Sequence, residues 1–347
     1  LLKDRMDINK TVKGINIKLN KDKHGLTKTY NIPIFIPHLG CPHTCIFCNQ
    51  TKITGVATNV GCDDVRAIVE KYLSGLPESG CRIEIAFFGG SFTGLPLDEQ
   101  EKFLKTANEY SDRIYGIRMS TRPDYISDDV LALAKKYNVK TIELGIQSAN
   151  DKVLALNERG HTFKDVKAAA RLIEKYGIGF GAQIMVGMYG SDPDCDIQTA
   201  RLTADLNPEC VRIYPTLTLC GTKQQELYKD GEYAPYDMET AIITTDSIMR
   251  IFEDKNIEII RVGLHSDESL TSGNIAAGPY HPAFKELVLC RRARELIESD
   301  IQSRRLKNCV YSISVSDRDI SAVIGHKRCN AEYFKKKYNI ILKIECS

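Results

Sequence analysis

From residue 31 the chain alternates between short apolar runs and longer amphipathic stretches. The apolar runs are rich in β-branched and aromatic residues and lack strict polar alternation, which is typical of strands buried on both faces of a sheet. They predict strands at 31–37, 82–88, 115–120, 140–146, 179–187, 210–215 and 257–263. The amphipathic stretches predict helices, among them 64–73, 98–110, 128–137, 164–176 and 238–252.

Six or seven such units in succession predict an α/β fold with a parallel sheet and right-handed crossovers. The length of this region favours a full or partial barrel of the (β/α)6 type over a small doubly wound sheet. After about residue 300 the pattern changes to a small α+β module, in which a GHKR loop and a basic helix lie between two predicted strands. The predicted domains are a basic N-terminal extension over 1–30, the barrel over 31–300 and the basic module over 301–347.

The composition is that of a globular protein, with 347 residues, 43% hydrophobic and 27% charged, which excludes extensive disorder. No apolar stretch reaches the roughly 20 residues of a membrane span, and the N-terminus is too polar for a secretory signal, so the sequence predicts a cytoplasmic protein without a membrane partner. The net charge of +2 hides a net of +5 over 1–30, −9 over 31–300 and +6 over 301–347. Two basic ends on an acidic body indicate a polyanionic partner, and a solvated tail with an ordinary soluble surface is the alternative.

Twelve cysteines without an export signal are more typical of reduced thiols or metal ligands than of disulfides. Cys41, Cys45 and Cys48 form a C-x3-C-x2-C pattern on a loop after the first predicted strand. Three thiolates this close in sequence can bind one face of an iron–sulfur cluster and leave one iron open for chemistry. A zinc site completed by His38 or His43, or three unrelated thiols, are the alternatives.

The cysteine spacing, with the aromatic Phe47 before the third cysteine, resembles the radical S-adenosylmethionine (SAM) superfamily. The resemblance implies a [4Fe–4S] cluster on the three cysteines, SAM on its open iron and an anaerobic or oxygen-protected cytosol. It also implies a one-electron reductant such as flavodoxin or ferredoxin, and release of methionine and a 5′-deoxyadenosyl radical.

Further motifs carry this resemblance, each with an ordinary strand-end polar residue or turn as its alternative. FFGGSFTG corresponds to the glycine-rich motif that contacts the SAM amino group, and IELGIQS and RGHT match a ribose- or methionine-contacting glutamine and a SAM-carboxylate arginine of oxygen-independent coproporphyrinogen oxidases. Two further candidates, Ser120 and Gln183, lie at positions where those enzymes have Glu and Asp, respectively. The resulting cofactor-binding candidates are Phe47, Gly89, Gly90, Ser91, Ser120, Gln147, Arg159 and Gln183.

Over residues 30–295, the motifs PHLGCPHTCIFCNQ, STRPDYI, RIYPTLTLCGT and GEYAPY are similar to the radical SAM core of the Elongator catalytic subunit family. This resemblance implies modification of the wobble uridine of tRNA at carbon 5. The family's full enzyme adds a C-terminal acetyltransferase, for which no acetyl-CoA loop is visible here. The complete family reaction is therefore not expected from this chain.

The module SAVIGHKRCNAEYFKKKYNIILKI resembles a KH RNA-binding element, in which a G-x-x-G loop grips single-stranded backbone. Gly325 matches the first glycine, and Arg328 replaces the second. The resemblance predicts phosphate contacts by Lys327, Arg328, Lys335 and Lys336. The alternative is a packing module with a solvated lysine face, and its aromatic residues are more typical of a core than of base stacking.

Tyr214 at a strand end, Cys220 in the next loop and His281 in a late loop are the catalytic, substrate-side candidates, each with a structural alternative. His265 lies in a similar late loop. Together these features predict a radical SAM enzyme that acts on RNA, and the Elongator resemblance implies that this RNA is tRNA. The alternatives are radical chemistry on a small molecule, as in coproporphyrinogen oxidases, and a non-enzymatic iron–sulfur RNA-binding sensor.

Overall fold

The computed structural model describes residues 10–19, 28–36, 41, 45–49, 60–264 and 273–346. The chain forms two compact units, one from residues 1–25 and 283–347 and one from residues 26–282. These divisions differ from the predicted ones at 30 and 300. The N-terminal segment belongs to the C-terminal module because the backbone N–H and C=O groups of an isolated strand lack hydrogen-bond partners. The strand β1, Thr11–Ile17, obtains these partners from the strand at Cys309–Val315.

The larger unit contains seven parallel strands in a single sheet. In chain order, the strands of this unit are β2 (Lys28–Ile36), β3 (Cys81–Gly89), β4 (Gly116–Thr121), β5 (Val139–Gln147), β6 (Gly179–Val186), β7 (Cys210–Pro215), β8 (Thr218–Leu219), β9 (Glu258–Val262) and β10 (Ile275–Ala277). The sheet order β2-β3-β4-β5-β6-β7-β9 follows the chain, and its end strands do not pair with each other in the described residues. The sheet is therefore a half-barrel, and the predicted partial α/β barrel is confirmed.

Helices connect the parallel strands. They are α1 (Cys62–Leu73), α2 (Leu97–Asn108), α3 (Asp128–Lys136), α4 (Asp151–Leu156), α5 (Phe163–Lys175), α6 (Pro193–Ala204), α7 (Lys223–Lys229) and α8 (Met238–Asp254). Ser127 caps α3 by accepting a hydrogen bond from the backbone of Val130, and Asp237 caps α8 by accepting one from Thr240. These caps determine where the two helices begin.

The core of the half-barrel consists of aliphatic side chains from successive strands. Each strand from β2 to β7 carries at least one fully buried isoleucine, among them Ile32, Ile85, Ile117, Ile142, Ile184 and Ile213. Burial of each such side chain contributes about 1.5–3 kcal/mol. No helix in the described residues is long and apolar enough to cross a membrane.

The smaller unit is a three-stranded parallel sheet with three helices. After α9 (Phe284–Ser303), its elements are β11 (Cys309–Val315), α10 (Ile320–Ile324), α11 (Cys329–Tyr338) and β12 (Ile340–Cys346). The strand order is β1-β11-β12. The segment from β11 to β12 is thus a β-α-α-β arrangement with the Gly325–Arg328 loop between its helices.

Candidate active site

The cysteine loop follows β2 and is held by backbone hydrogen bonds to two later segments. The Cys48 N–H donates to the Cys45 carbonyl at 3.0 Å, which makes a tight turn. The Ile46 N–H donates to the Asn157 carbonyl at 3.4 Å, and the Ile46 carbonyl accepts from the Gln224 N–H at 2.9 Å. Residues 37–40 and 42–44 lie outside the described residues. The position of the described part of the loop is given by these hydrogen bonds of Ile46 and Cys48.

The three predicted cysteine ligands differ in burial. Cys45 is buried, whereas Cys41, like the third cysteine, is half-buried. Burial raises the pKa of the Cys41 thiol, while a hydrogen bond from the Ser91 backbone and the positive charges of Arg122 and Arg159 lower it. The net effect is a raised pKa, so the Cys41 thiol has to release its proton when it binds a metal, because a metal ligand must be a thiolate.

Within the described residues, no group of three or more His, Cys, Asp or Glu side chains is arranged to hold a single metal ion. An iron–sulfur cluster makes a different demand, because each cysteine binds a separate iron and the sulfurs surround the cluster instead of meeting at one point. The candidate fourth zinc ligands, His38 and His43, lie outside the described residues, as does the late-loop His265.

Arg159 lies against the cysteine loop. Its Nη1 donates to the Cys45 Sγ at 3.0 Å and its Nη2 to the Gly145 carbonyl at 2.8 Å, while its buried Nε has no partner in the described residues. A Cβ at Gly145 would lie 3.0 Å from the Gln147 Nε2 and 3.3 Å from the Arg159 Nη2. Gly145 therefore leaves the room in which these two side chains meet, a role that sequence reasoning missed although the residue stands in the IELGIQS motif.

Gln147 and His161 add further unsatisfied polar atoms. Gln147, the last residue of β5, has a φ of +66°, and its buried Oε1 has no hydrogen-bond partner in the described residues. His161 is buried, and neither ring nitrogen makes a well-aligned hydrogen bond there. Burial and the positive charges of Arg159 and Arg122 lower the pKa of His161 to about 4, so the imidazole is neutral near pH 7.

Arg122 is a second buried arginine that sequence reasoning missed, although it belongs to the STRPDYI motif. Its Nε and Nη2 bind the Asp124 carboxylate at 3.0 and 2.9 Å, and its Nη2 also donates to the Arg159 carbonyl. Its buried Nη1 has no partner in the described residues. We use the name strand-end site for the set Cys41, Cys45, Cys48, Arg122, Gln147, Arg159 and His161.

The glycine-rich segment joins the end of β3 to the end of β2. Gly89 has a φ of +102°, and a Cβ there would lie 2.7 Å from the Ile36 carbonyl oxygen, so only glycine fits. The Gly90 N–H donates to the same carbonyl at 3.0 Å. The buried Ser91 hydroxyl is 2.7 Å from the Thr121 hydroxyl. This segment positions the strand after which the cysteine loop begins.

A second group of buried polar side chains lies on the strands themselves. The fully buried Glu143 carboxylate accepts hydrogen bonds from Arg212 at 2.6 and 3.0 Å, from Arg118 at 3.0 Å and from Gln183 at 2.9 Å. Arg118 also binds Glu84 at 2.7 Å. Burial raises the pKa of Glu143, but Arg212 and Arg118 outweigh it and hold that pKa below its usual range. We call Glu84, Arg118, Glu143 and Arg212 the ionic layer.

Three predicted site residues lie with the ionic layer. The Gln183 Nε2 that binds Glu143 also donates to the Ser120 Oγ at 3.0 Å. Burial raises the pKa of the Tyr214 hydroxyl, and a hydrogen bond with Arg212 lowers it in part. The geometry thus gives Ser120, Gln183 and Tyr214 partners inside the sheet, while their cofactor or substrate roles stay predictions.

The other candidates of the larger unit are placed as follows. Phe47 is half-buried within the turn of the cysteine loop. The Cys220 backbone N–H donates to the Asn274 carbonyl at 2.9 Å, and its Sγ lies 3.6 Å from the Gly273 carbonyl. His281 is half-buried beyond β10. Substrate contacts by Cys220 and His281 stay predictions.

In the smaller unit, the predicted RNA contacts are all exposed. Lys327 and Arg328 have φ values of +50° and +63°, so two successive non-glycine residues adopt the left-handed conformation in the loop. Lys335 and Lys336 lie on the exposed side of α11. The cationic side chains of this unit are therefore accessible to a polyanion.

The aromatic residues of α11 are engaged in packing. Phe334 is fully buried. The hydroxyls of Tyr333 and Tyr338 both donate to the Glu298 Oε1 at 2.6 Å. These contacts agree with the prediction that the aromatic residues form part of a core.

Two family profiles match the chain, one for the radical SAM superfamily over residues 35–203 and one for a radical SAM C-terminal domain over residues 208–295. A tRNA uridine(34) acetyltransferase of Methanocaldococcus jannaschii is 31% identical over 183 residues, which are 46% of this chain and 34% of that protein. One from Dehalococcoides mccartyi is 25% identical over 74% of this chain and 64% of that protein. The chain thus spans about a third to two thirds of these relatives.

Among solved structures, the archaeal Methanocaldococcus infernus Elp3 with an N-terminal deletion superimposes with a TM-score of 0.62 at 23% identity. The match covers 78% of this chain and 64% of that one. At this identity the similarity concerns the fold, which agrees with the half-barrel of parallel strands.

Proposed function

The chain belongs to the radical SAM superfamily of enzymes, and on that premise we propose that it reductively cleaves SAM at a [4Fe–4S] cluster bound by Cys41, Cys45 and Cys48. The observation that carries the proposal is the strand-end site. There, unpaired polar atoms of buried side chains lie beside the second cysteine. Buried polar groups without partners are costly unless a ligand satisfies them.

The residues of the site fit such a cofactor pair. When bound, the cluster supplies one electron to SAM at its open iron, which yields methionine and a 5′-deoxyadenosyl radical. Arg159 offers a charged donor suited to a carboxylate, and its unpartnered Nε is available for one. The Gln147 Oε1 offers an acceptor suited to an ammonium or a hydroxyl group.

The remaining residues of the site hold these groups in place. Arg122 binds the Arg159 backbone and Asp124, which fixes the segment that carries Arg159. His161, neutral near pH 7, lies beside both arginines without adding a third positive charge. Burial of Cys45, Arg122, Arg159 and His161 limits the access of water to a reactive radical.

The proposed substrate is RNA, specifically tRNA. The support is the naming of two relatives as tRNA uridine(34) acetyltransferases, together with the exposed Lys327, Arg328, Lys335 and Lys336 of a module that resembles a KH element. Acetyl transfer is not part of the proposal. Membership of an enzyme superfamily favours radical chemistry, on RNA or on a small molecule, over a non-enzymatic iron–sulfur sensor. A flavodoxin or ferredoxin is the proposed electron donor.

Anaerobic reconstitution tests the cofactor assignment. We expect about four irons per chain and release of 5′-deoxyadenosine from SAM under dithionite. Cys45→Ala should lose both the iron and the 5′-deoxyadenosine release. Cys81→Ser is the control and should retain both, because Cys81 is the first residue of β3, at the end away from the glycine-rich segment. SAM cleavage by Cys45→Ala at the wild-type rate would contradict the proposal.

Salt-dependent binding tests the RNA assignment. Deleting the module is unsuitable because β1 pairs with β11 and would lose its partner. Instead, Lys327→Ala/Arg328→Ala should weaken tRNA binding and reduce the slope of log affinity against log salt by about 1 per lost phosphate contact. The matched control, Lys71→Ala/Lys135→Ala, removes two exposed lysines of the larger unit. Equal effects of the two pairs would assign the binding to net charge instead of the loop, and SAM cleavage without tRNA binding would favour a small-molecule substrate.

A further inference from the structure

Two cysteines of the smaller unit lie next to each other although they are far apart in sequence. The Cys290 Sγ on α9 is 3.5 Å from the Cys329 Sγ at the first residue of α11. A disulfide requires an S–S distance of about 2.05 Å, so the two sulfurs need to approach each other by about 1.5 Å to bond. Neither cysteine belongs to the strand-end site or to the proposed RNA contacts.

The two thiols have different surroundings. Cys329 is exposed, begins a helix and follows three basic residues, which are the surroundings of readily oxidised cysteines. Cys290 is only 6% exposed. Burial and the contact with Cys329 raise the pKa of Cys290 to about 11, so it is a protonated thiol near pH 7. One sulfur is thus accessible to an oxidant, and the other is shielded and adjacent.

The pair also lies directly beneath the cationic loop. A Cβ at Gly325 would lie 2.7 Å from the Cys329 Sγ and 3.0 Å from the Cys290 Sγ, so the loop passes over both sulfurs without room for a side chain. The Asn330 side chain donates to the Cys290 carbonyl at 2.9 Å and fixes the start of α11 against α9. A bond between the sulfurs therefore acts on the backbone of the loop.

We propose that Cys290 and Cys329 form a reversible disulfide that fixes the loop Gly325–Arg328 to helix α9. A hydroperoxide oxidises the Cys329 thiol to a sulfenic acid: one oxygen atom is transferred to the sulfur, the O–O bond breaks, and the remainder leaves as an alcohol, or as water from hydrogen peroxide. The Cys290 sulfur then attacks the Cys329 sulfur, the thiol proton leaves with the hydroxyl as water, and the disulfide forms. Overall, two thiols lose two electrons to one hydroperoxide, and a dithiol reductant reverses the change.

Peptide mapping of the full-length protein tests this. After treatment with hydrogen peroxide and blocking of the remaining thiols, we expect a peptide pair linked through Cys290 and Cys329 that disappears with dithiothreitol. Cys290→Ser and Cys329→Ser should each abolish it, and Cys346→Ser, which removes another exposed cysteine of this unit, should not. This readout requires neither the cluster nor RNA, so it is independent of the proposed function.

Hydrogen exchange supplies a second measurement. Oxidation should slow exchange of the amides at 325–329 several-fold in the wild type and in Cys346→Ser, and leave it unchanged in Cys290→Ser. If Cys290→Ser fails to fold, Cys290→Ala replaces it. Recovery of oxidised protein in which Cys290 is fully alkylated and Cys329 is a sulfinic acid or is linked to another cysteine would overturn the proposal.

Discussion

The half-barrel contains two groups of buried charged and polar side chains that differ in how completely they are paired. In the ionic layer, Glu143 accepts four hydrogen bonds, and the arginines that bind it are held by carboxylates within the same sheet. In the strand-end site, Arg122, Gln147, Arg159 and His161 each retain a buried atom without a partner in the described residues. Complete pairing is typical of a structural element, whereas incomplete pairing indicates a site that a ligand completes.

The largest expected effect concerns the ionic layer. Glu143→Ala removes the carboxylate that pairs two largely buried arginines. Arg118 keeps Glu84 as a partner, but Arg212 is left uncompensated, and such a buried charge costs about 3–5 kcal/mol of the free energy of unfolding. Denaturant unfolding measures this loss. Glu101→Ala, which breaks an exposed ion pair with Lys136, is the matched control and should change stability little. Equal losses in the two variants would remove the structural role of the layer.

The next effect concerns His161 and pH. The unfolded chain binds a proton on this histidine below about pH 6.5, whereas the folded chain binds it only near pH 4. Stability therefore falls as the pH decreases between these values, by about 3 kcal/mol at 1.36 kcal/mol per pKa unit. His161→Gln should remove that part of the pH dependence, measured as the difference from wild type in protein purified without a cluster.

Asp196 provides a control for the direction in which stability changes with pH. Burial raises the pKa of its carboxyl to about 6, so the folded state binds the proton more tightly and stability rises as the pH falls through this range. Asp196→Asn should therefore change the pH dependence in the opposite direction to His161→Gln. A His161→Gln profile parallel to the wild type would show that the imidazole is not held neutral by its surroundings.

The third effect concerns Arg159. If its free Nε serves a ligand, Arg159→Met should reduce 5′-deoxyadenosine release by about 10- to 100-fold, the equivalent of a lost hydrogen bond to a charged group. The loss of unfolding free energy should be smaller than for Glu143→Ala. Partial recovery of the rate in Arg159→Lys would support a charge-based role, and unchanged release in Arg159→Met would assign the residue to structure alone.

The smallest effect separates the two groups at Ser120. Since its hydroxyl accepts from Gln183 in contact with the ionic layer, Ser120→Ala should cost about 1 kcal/mol in stability and leave SAM affinity unchanged. Equilibrium unfolding and SAM titration of the reconstituted protein measure the two quantities. A tenfold weaker SAM affinity with unchanged stability would instead place Ser120 among the cofactor contacts.

Local patterns predicted the secondary structure closely. The strands predicted at 82–88 and 140–146 are observed as Cys81–Gly89 and Val139–Gln147, and the helix predicted at 238–252 as Met238–Asp254. Apolar runs and capping residues act over a few positions, so they can be recognised in one sequence. The start of the smaller unit was less predictable, because β1 obtains its partner, β11, about 300 residues later.

The candidate site likewise contains residues that local sequence motifs identify and residues whose roles only tertiary contacts show. The three cysteines could be recognised because their ligand spacing lies within eight residues, and Arg159 through its motif. Gly145 and His161 also stood in recognised motifs, but only tertiary contacts gave them a role. Ser120 and Gln183 were assigned by motif position, which does not reveal that they bind each other.

The sequence by itself determined the order of strands and helices, the cysteine loop and the two basic ends, since each depends on residues close together in the chain. Only the tertiary structure decided which buried polar groups are paired. Glu143 meets Arg212 across 69 positions, and Arg159 meets Cys45 across 114. Because burial without a partner is unfavourable for each of these groups, their roles depend on tertiary packing and not on the local sequence.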